Sequence, residues 1–263
     1  VEYGKAWQLQ KNLFSARSLS KIDDVLVLTQ HPPTYTIGRR GNTDQLLISE
    51  EELMRRGYSV YTVDRGGAIT YHGPGQIVGY PILNMKSYTD DYYEYLRMLE
   101  EVMIRALSAF GIYAGRRTGF TGVWVNGESN SVRIKKIGSI GVRIVKGYTM
   151  HGFSLNVNND LTPFSMIIPC NIRNAKMTSI DKILGAREKQ EIDSTDKECH
   201  CERSEAISLC QPRNDSTCFS LYEDVEDTIV KQFANVFGME IHEWKNALTG
   251  LEPSYPQEMI TAR

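Results

Sequence analysis

Apolar positions recur along this chain with two different periods. Tyr3, Ala6, Trp7, Gln10, Leu13 and Phe14 are spaced three or four apart, which predicts a helix at the start. A stronger stripe of Tyr92, Leu96, Leu99, Val102, Met103, Ala106, Leu107 and Phe110 predicts a long helix closed by Gly111, and Tyr222, Val225, Ile229, Phe233, Val236 and Phe237 predict another that stops at Gly238. A short helix is expected around Ser49–Arg56. Val25–Gln30 reads as a buried strand. Tyr58–Asp64, Ala68–Tyr71, Gly122–Val125, Val132–Ile137, Ile140–Val145 and Gly152–Val157 are short alternating or β-branched segments, expected as further strands. Pro32 and Pro33 end the Val25–Gln30 strand, and Gly38 and Gly41 mark a turn before the short helix. Helices and strands mix without strict βαβ alternation, so the expected fold class is α+β, a mixed β-sheet with flanking helices in one domain over residues 1–245. Residues 246–263, with Pro253 and Pro256 and little periodicity, are expected to be a flexible tail.

One stretch fits neither period. Glu188–Cys218 is polar and holds Cys199, Cys201, Cys210 and Cys218, and it reads as a segment inserted at the surface. Loop-closure cost grows only logarithmically with length, so a fold tolerates such an insertion. CHCERSEAIS…PRNDS resembles the translated product of a dispersed bacterial repeat element. Cys-x-Cys followed by gaps of eight and seven is no standard zinc spacing, and no metal is expected.

Composition narrows the class. At 41% apolar and 24% charged residues the chain is ordinary globular protein, and a net charge of -2 offers no field that would mark a nucleic-acid binder. Apolar runs such as Met166–Ile168 fall far short of the ~20 residues of a membrane span, so no membrane partner and a cytoplasmic location are expected. The five cysteines are an odd number with no secretion signal, which argues against a disulfide framework. Local charge is uneven: Arg39–Arg40 and Arg116–Arg117 are paired, and Arg133, Lys135, Lys136, Arg143 and Lys146 crowd one stretch.

Two segments concentrate the candidate chemistry. In RGGAITYHGPGQ, glycines on both sides of a short strand let backbone approach a ligand closely, although paired glycines also make plain hairpin turns. The segment matches neither a Walker loop nor a dinucleotide fingerprint. The second runs from Lys135 to Ile172 and carries a single cysteine, Cys170, after Pro169. An isolated cysteine serves as a small buried hydrophobe or as a nucleophile. The second role needs a neighbouring base or cation, because a free thiol near pKa 8.5 is little ionised at neutral pH. His72, His151, Lys135 and Lys136 are the candidates, and spacing does not choose among them. The chain has no Gly-x-Ser-x-Gly elbow and no His-x-x-x-His pair.

HPPTYTIGR, RGGAITYHGPGQIVGYP, KIGSIG, the Thr149–Val157 run (with Met150 between Thr149 and His151) and PFSMIIPCNI together resemble the bacterial lipoyl(octanoyl) transferases, over nearly all of Tyr3 to Phe237 apart from the insertion. That resemblance implies a catalytic domain like those of the biotin and lipoate protein ligases. It implies an octanoyl or lipoyl group moved from acyl carrier protein to a lysine of a lipoyl domain, in 2-oxoacid dehydrogenases or the glycine cleavage H protein, as a step of lipoate biosynthesis. Cys170 would be acylated as a thioester and Lys136 would be its partner, with Lys135 a bystander. Arg65, Gly66, Gly67, Ala68, Ile69, Thr70, Tyr71 and His72, then Ser139, Ile140 and Gly141, then Gly152, Phe153 and Ser154, match the segments that contact substrate, with His151 in a secondary role. Asn171 stands where similar sequences more often have glycine. A thioester donor is already activated, so the implied reaction needs no nucleotide and no other cofactor. The alternatives are an ATP-dependent lipoate or biotin ligase, which has no need of Cys170, and a non-catalytic metal-binding module built on Cys199–Cys218.

Overall fold

A computed structural model describes residues 1–125, 134–168, 176–187, 215–243 and 259–262. Cys170, Asn171, Arg133 and nearly all of the cysteine-rich stretch therefore lie outside the described residues. The described elements are helices α1 (Tyr3–Ser18), α2 (Glu50–Arg55), α3 (Tyr92–Ala109), α4 (180–187) and α5 (Asp215–Phe237) with twelve strands. The strands are β1 (Asp24–Thr29), β2 (Thr34–Ile37), β3 (Ser59–Thr62), β4 (Ile69–His72), β5 (Gln76–Ile82), β6 (Ala114–Arg117), β7 (Phe120–Val125), β8 (Lys135–Val145), β9 (Tyr148–Asn156), β10 (Lys176–Met177), β11 (Ile241–Glu243) and β12 (Met259–Ala262).

The large sheet runs in the order β11-β12-β1-β5-β9-β8-β7-β6, antiparallel throughout, with the short β10 added parallel to β8. Alternation along β1 explains why its sequence is apolar at nearly every position. Val25 and Val27 point into a core with Ala6, Leu9 and Leu13 of α1, and Leu26 and Leu28 point into the opposite core with α3 and α5. Both faces are covered, so the central run Val25–Leu28 is apolar without a break, and the polar residues Asp24 and Thr29 stand only at its ends. α3 begins at Asp91, whose side chain accepts from the Tyr93 N–H, and passes out through Gly111 at φ 69. Its stripe packs on Val123, Ile137 and Leu155. A separate three-stranded sheet, β3-β2-β4, pairs β2 parallel to β3 and antiparallel to β4, over a small core of Tyr35, Leu53, Tyr71, Phe164 and Ile167.

The mixed α+β sheet with flanking helices is what the two periods predict, but several strands differ from the expectation. Lys135–Val145 is one eleven-residue strand, where Val132–Ile137 and Ile140–Val145 were separate segments. Glycines at 138 and 141 interrupt the apolar pattern without interrupting the ladder, because each lies against a neighbour with no room for a side chain. Thr34–Ile37, between the two prolines and the glycine turn where no element was expected, is strand β2 and fully buried. The central strand β5 escapes the periodicity reading because it contains Gly79 and Pro81, residues that weaken or exclude a strand assignment. Pro81 is tolerated because β9 pairs with β5 only as far as Gly79, and beyond it the Thr149 hydroxyl donates to Pro81 O and accepts from Leu83 N. Within the expected tail, Met259–Ala262 pairs with β1.

Candidate functional site

Strands β4, β5, β8 and β9 converge on a cleft lined by both apolar and polar side chains. Its apolar surface comes from Ala68, Val78, Ile140 and Phe153. The three expected contact segments meet here: Arg65, Gly67, Ala68, Ile69, Thr70 and His72 from the first, Ser139, Ile140 and Gly141 from the second, and Gly152, Phe153 and Ser154 from the third, with Lys136 and His151. The β8–β9 register sets Ser139 opposite Ser154 and Gly141 opposite Gly152, so two of the segments form one wall. Gly66 and Tyr71 stand outside the lining. Gly66 instead ties its loop to β8 by donating its N–H to Val142 O at 2.8 Å, and the Tyr71 ring turns into the small core against Tyr35 and Phe164. Sequence reasoning missed Tyr3, Val78 and Tyr80, which also line the cleft. The alternation Val78–Tyr80 was available as a signal but was hidden by Gly79 and Pro81.

Arg65 is buried, and its guanidinium donates to Thr36 O at 2.6 Å, to Thr36 Oγ1 and to Gly66 O, which holds the glycine-rich loop rigid. The Gly38–Arg40 turn docks on the same loop: the N–H groups of Gly38, Arg39 and Arg40 donate to the carbonyls of Ala68, Arg65 and Gly67. The motif with the two prolines therefore serves as a bracket for the motif with the paired glycines. The Arg39 and Arg40 side chains remain exposed at this rim.

Lys136 is 4% exposed, with Nζ 5.3 Å from the centre of the Trp124 ring. Gly122 makes room for it, since a Cβ there would sit 2.7 Å from Lys136 Cε. The described chain ends at Ile168, whose N–H donates to Gln45 O, and resumes at Lys176. There Lys176 and Met177 pair with Lys135 and Lys136. The segment holding Cys170 is thus followed at once by a strand laid against Lys136. Lys135 is half-buried on the same strand, and the cleft lining includes Lys136 and not its neighbour.

The buried histidines His31, His72 and His151 all have lowered pKa values. Gln76 Nε2 donates to Tyr71 O and Asn156 Oδ1, which leaves Gln76 Oε1 to accept from His72 Nδ1–H at 2.7 Å, so His72 Nε2 carries a lone pair. Burial, reinforced by the neighbouring His31, pushes His72 down to about 3. His31 donates through Nδ1 to Val1 O, accepts from the Tyr80 hydroxyl at 2.6 Å, and is pushed down to about 4, again chiefly by burial. His151, buried, is lowered too, against the opposing pull of Asp64 at 2.7 Å from its Nε2. His72 therefore accepts a hydrogen bond at neutral pH but is a poor proton acceptor in catalysis, which leaves Lys136 as the cleft's basic side chain among the described candidates. A histidine whose folded pKa is depressed stabilises the fold above its unfolded value near 6.5, and that stability is lost as pH falls toward the folded value. Thermal stability is expected to fall between pH 6.5 and 4.5, by on the order of 2 kcal/mol each for His31 and His72 or roughly 4–8 °C each, before most carboxylates titrate. His31→Gln is expected to flatten that slope; an unchanged slope would remove His31 from the account.

Residues 2–202 match the family model described as the lipoyl protein ligase A/B catalytic domain. The octanoyltransferase of Caldicellulosiruptor saccharolyticus is 47% identical over 187 residues, covering 70% of this chain and 77% of that protein. The octanoyltransferase of Acidobacterium capsulatum is 43% identical over 188 residues, covering 69% and 76%. Among solved structures, a lipoate-protein ligase A bound with ATP superposes with a TM-score of 0.57 at 14% identity, covering 88% of this chain and 81% of that one. The bipartite lipoate protein ligase of Thermoplasma acidophilum gives 0.54 at 15% identity, covering 88% and 79%. At that identity the structures speak to the fold alone.

Proposed function

The chain belongs to the lipoyl protein ligase A/B catalytic domain family, and from that premise we propose that it is an octanoyltransferase of lipoate biosynthesis working through an acyl-thioester on Cys170. The observation that carries the reading is the buried Lys136 in the wall of an apolar cleft, on the strand against which the chain resumes after Cys170. Cys170 and Lys136 share one proton as a coupled pair. The thiolate attacks the octanoyl carbonyl, the bond to the carrier's sulfur breaks, and that sulfur leaves as a thiol with the proton of the Lys136 ammonium. The amine of a lipoyl-domain lysine then attacks the acyl-enzyme, an amide bond forms, Cys170 departs as thiolate, and the amine's proton returns to Lys136. Burying about six methylenes of the chain against Val78, Ile140 and Phe153 is worth roughly 5 kcal/mol, which makes discrimination between adjacent chain lengths modest.

The donor in this reading is octanoyl acyl carrier protein, and the acceptors are the lipoyl domains of 2-oxoacid dehydrogenases and the glycine cleavage H protein. Product formed from the octanoyl carrier and a lipoyl domain without ATP tests it. A requirement for ATP and free octanoate would replace it with a ligase. Arg143 is tied to Asp64 and so is not offered to the acidic carrier, whereas Arg39 and Arg40 are exposed at the cleft rim. Raising salt from about 50 to 300 mM is expected to increase KM for the carrier roughly three- to tenfold while the maximal rate changes little. Arg39→Ala with Arg40→Ala should blunt that dependence, and a salt-insensitive KM would remove these arginines from docking.

A further inference from the structure

One carboxylate outside the segments already discussed joins all three of them. Asp64 immediately precedes Arg65, the first residue of the glycine-rich segment. Its Oδ1 accepts from His151 Nε2–H at 2.7 Å, and His151 immediately precedes Gly152. Its Oδ2 accepts from the Arg143 guanidinium, and Arg143 follows Gly141 by two residues on β8. The same join is made by backbone close by, where Gly66, two residues after Asp64, donates its N–H to Val142 O and a Cβ at Gly141 would sit 2.7 Å from Gly66 O.

His151 shows that this tie does more than decorate the surface. It is a non-glycine residue at φ 55, inside strand β9, with its ring 1% exposed. A left-handed backbone at such a residue costs on the order of 1–3 kcal/mol and persists only where the surroundings over-determine it. Here two groups do so. Gln10 Oε1 of α1 accepts the His151 backbone N–H at 2.9 Å, and Asp64 takes the ring N–H. The backbone that turns Gly152, Phe153 and Ser154 toward the cleft is thus held by a side chain from the loop on its opposite wall.

We propose that Asp64 is a positioning residue whose carboxylate fixes the spacing of the cleft's walls, and with it affinity and chain-length preference for the acyl group. The proposal rests on the octanoyl-transfer reading. It is tested with a small thioester, octanoyl-N-acetylcysteamine, which removes carrier docking from the measurement, by following acylation of the protein by intact mass over a range of thioester concentrations. The six-, eight- and twelve-carbon thioesters give the preference. Asp64→Ala is expected to raise the half-saturating concentration roughly tenfold, to change the limiting acylation rate less than about threefold, and to flatten the chain-length preference. Asp64→Asn, whose Oδ1 can accept the same His151 N–H, should recover most of both. A melting temperature lowered in Asp64→Ala while half-saturation and preference match the wild type would assign Asp64 to stability alone and overturn the proposal. Should Asp64→Ala not fold, Arg143→Gln removes one arm at a partly exposed position. A raised half-saturation there supports the proposal, and an unchanged one overturns it. A wild-type protein that takes no acyl group at all would overturn the octanoyl-transfer reading itself, and the positioning role with it. That failure is distinguishable because it occurs before any residue is changed.

Discussion

Replacing Cys170 by serine is expected to abolish octanoyl transfer, by at least about 1,000-fold, and to remove the single octanoyl adduct that the wild-type protein forms when mixed with octanoyl carrier alone. The reason is chemical. A thiolate exists in useful amount near neutral pH when a cation stands beside it, whereas a serine hydroxyl, a much weaker acid than a thiol, stays protonated in the same place. The cysteines at 199, 201, 210 and 218 make the result informative, because they remain in the variant. If acyl groups scatter onto thiols by simple exchange, the Cys170→Ser protein still gains mass. An adduct that vanishes with this one substitution locates the acyl-enzyme, and an adduct that survives it removes Cys170 from the mechanism. No adduct on folded wild-type protein would favour a reaction with another activated donor.

How much of this was legible beforehand depended on whether a residue's role shows in its neighbours along the chain. Helices α1, α2, α3 and α5 were, as α3 shows by burying one stripe and closing at a left-handed glycine, both local signals, whereas the short α4 was not. β1 was, because burial on both faces leaves an unbroken apolar run. β5 was not, since the features that let it serve the cleft, Gly79 beneath the Phe153 ring and Pro81 where the β9 ladder stops, are those that ordinarily exclude a strand. The same holds for the site. The motifs pointed to three segments, but nothing in their spacing says that Tyr71 turns away into a second core while Tyr3 and Tyr80, from an unrelated helix and strand, turn in. Nor did spacing choose among the candidate bases. A hydrogen-bond chain, Thr178 O to Asn156 to Gln76 to His72, fixes the tautomer of His72 through residues far apart in the sequence, and burial lowers its pKa, neither of which spacing reveals.

Lys136→Met is expected to slow acyl-enzyme formation by about 100- to 10,000-fold while the half-saturating concentration of a small thioester moves little. Methionine is close to lysine in length and apolar, so it fills the buried slot between Trp124 and Gly122 without leaving a cavity, and what is lost is the proton and the charge. If that cation is what keeps Cys170 ionised, the pH at which Cys170 becomes reactive toward iodoacetamide should rise in the variant. Lys136→Arg separates two duties that methionine removes together. A guanidinium keeps a positive charge beside the thiolate but does not give up its proton to become a base, so the arginine protein is expected to acylate, slowly, and then to hold its octanoyl group when the lipoyl domain is added. Lys135→Met, one residue away and outside the cleft lining, should leave both half-reactions near wild type. Should Lys136→Met turn over at the wild-type rate, the proton is handled elsewhere and Lys136 leaves the mechanism.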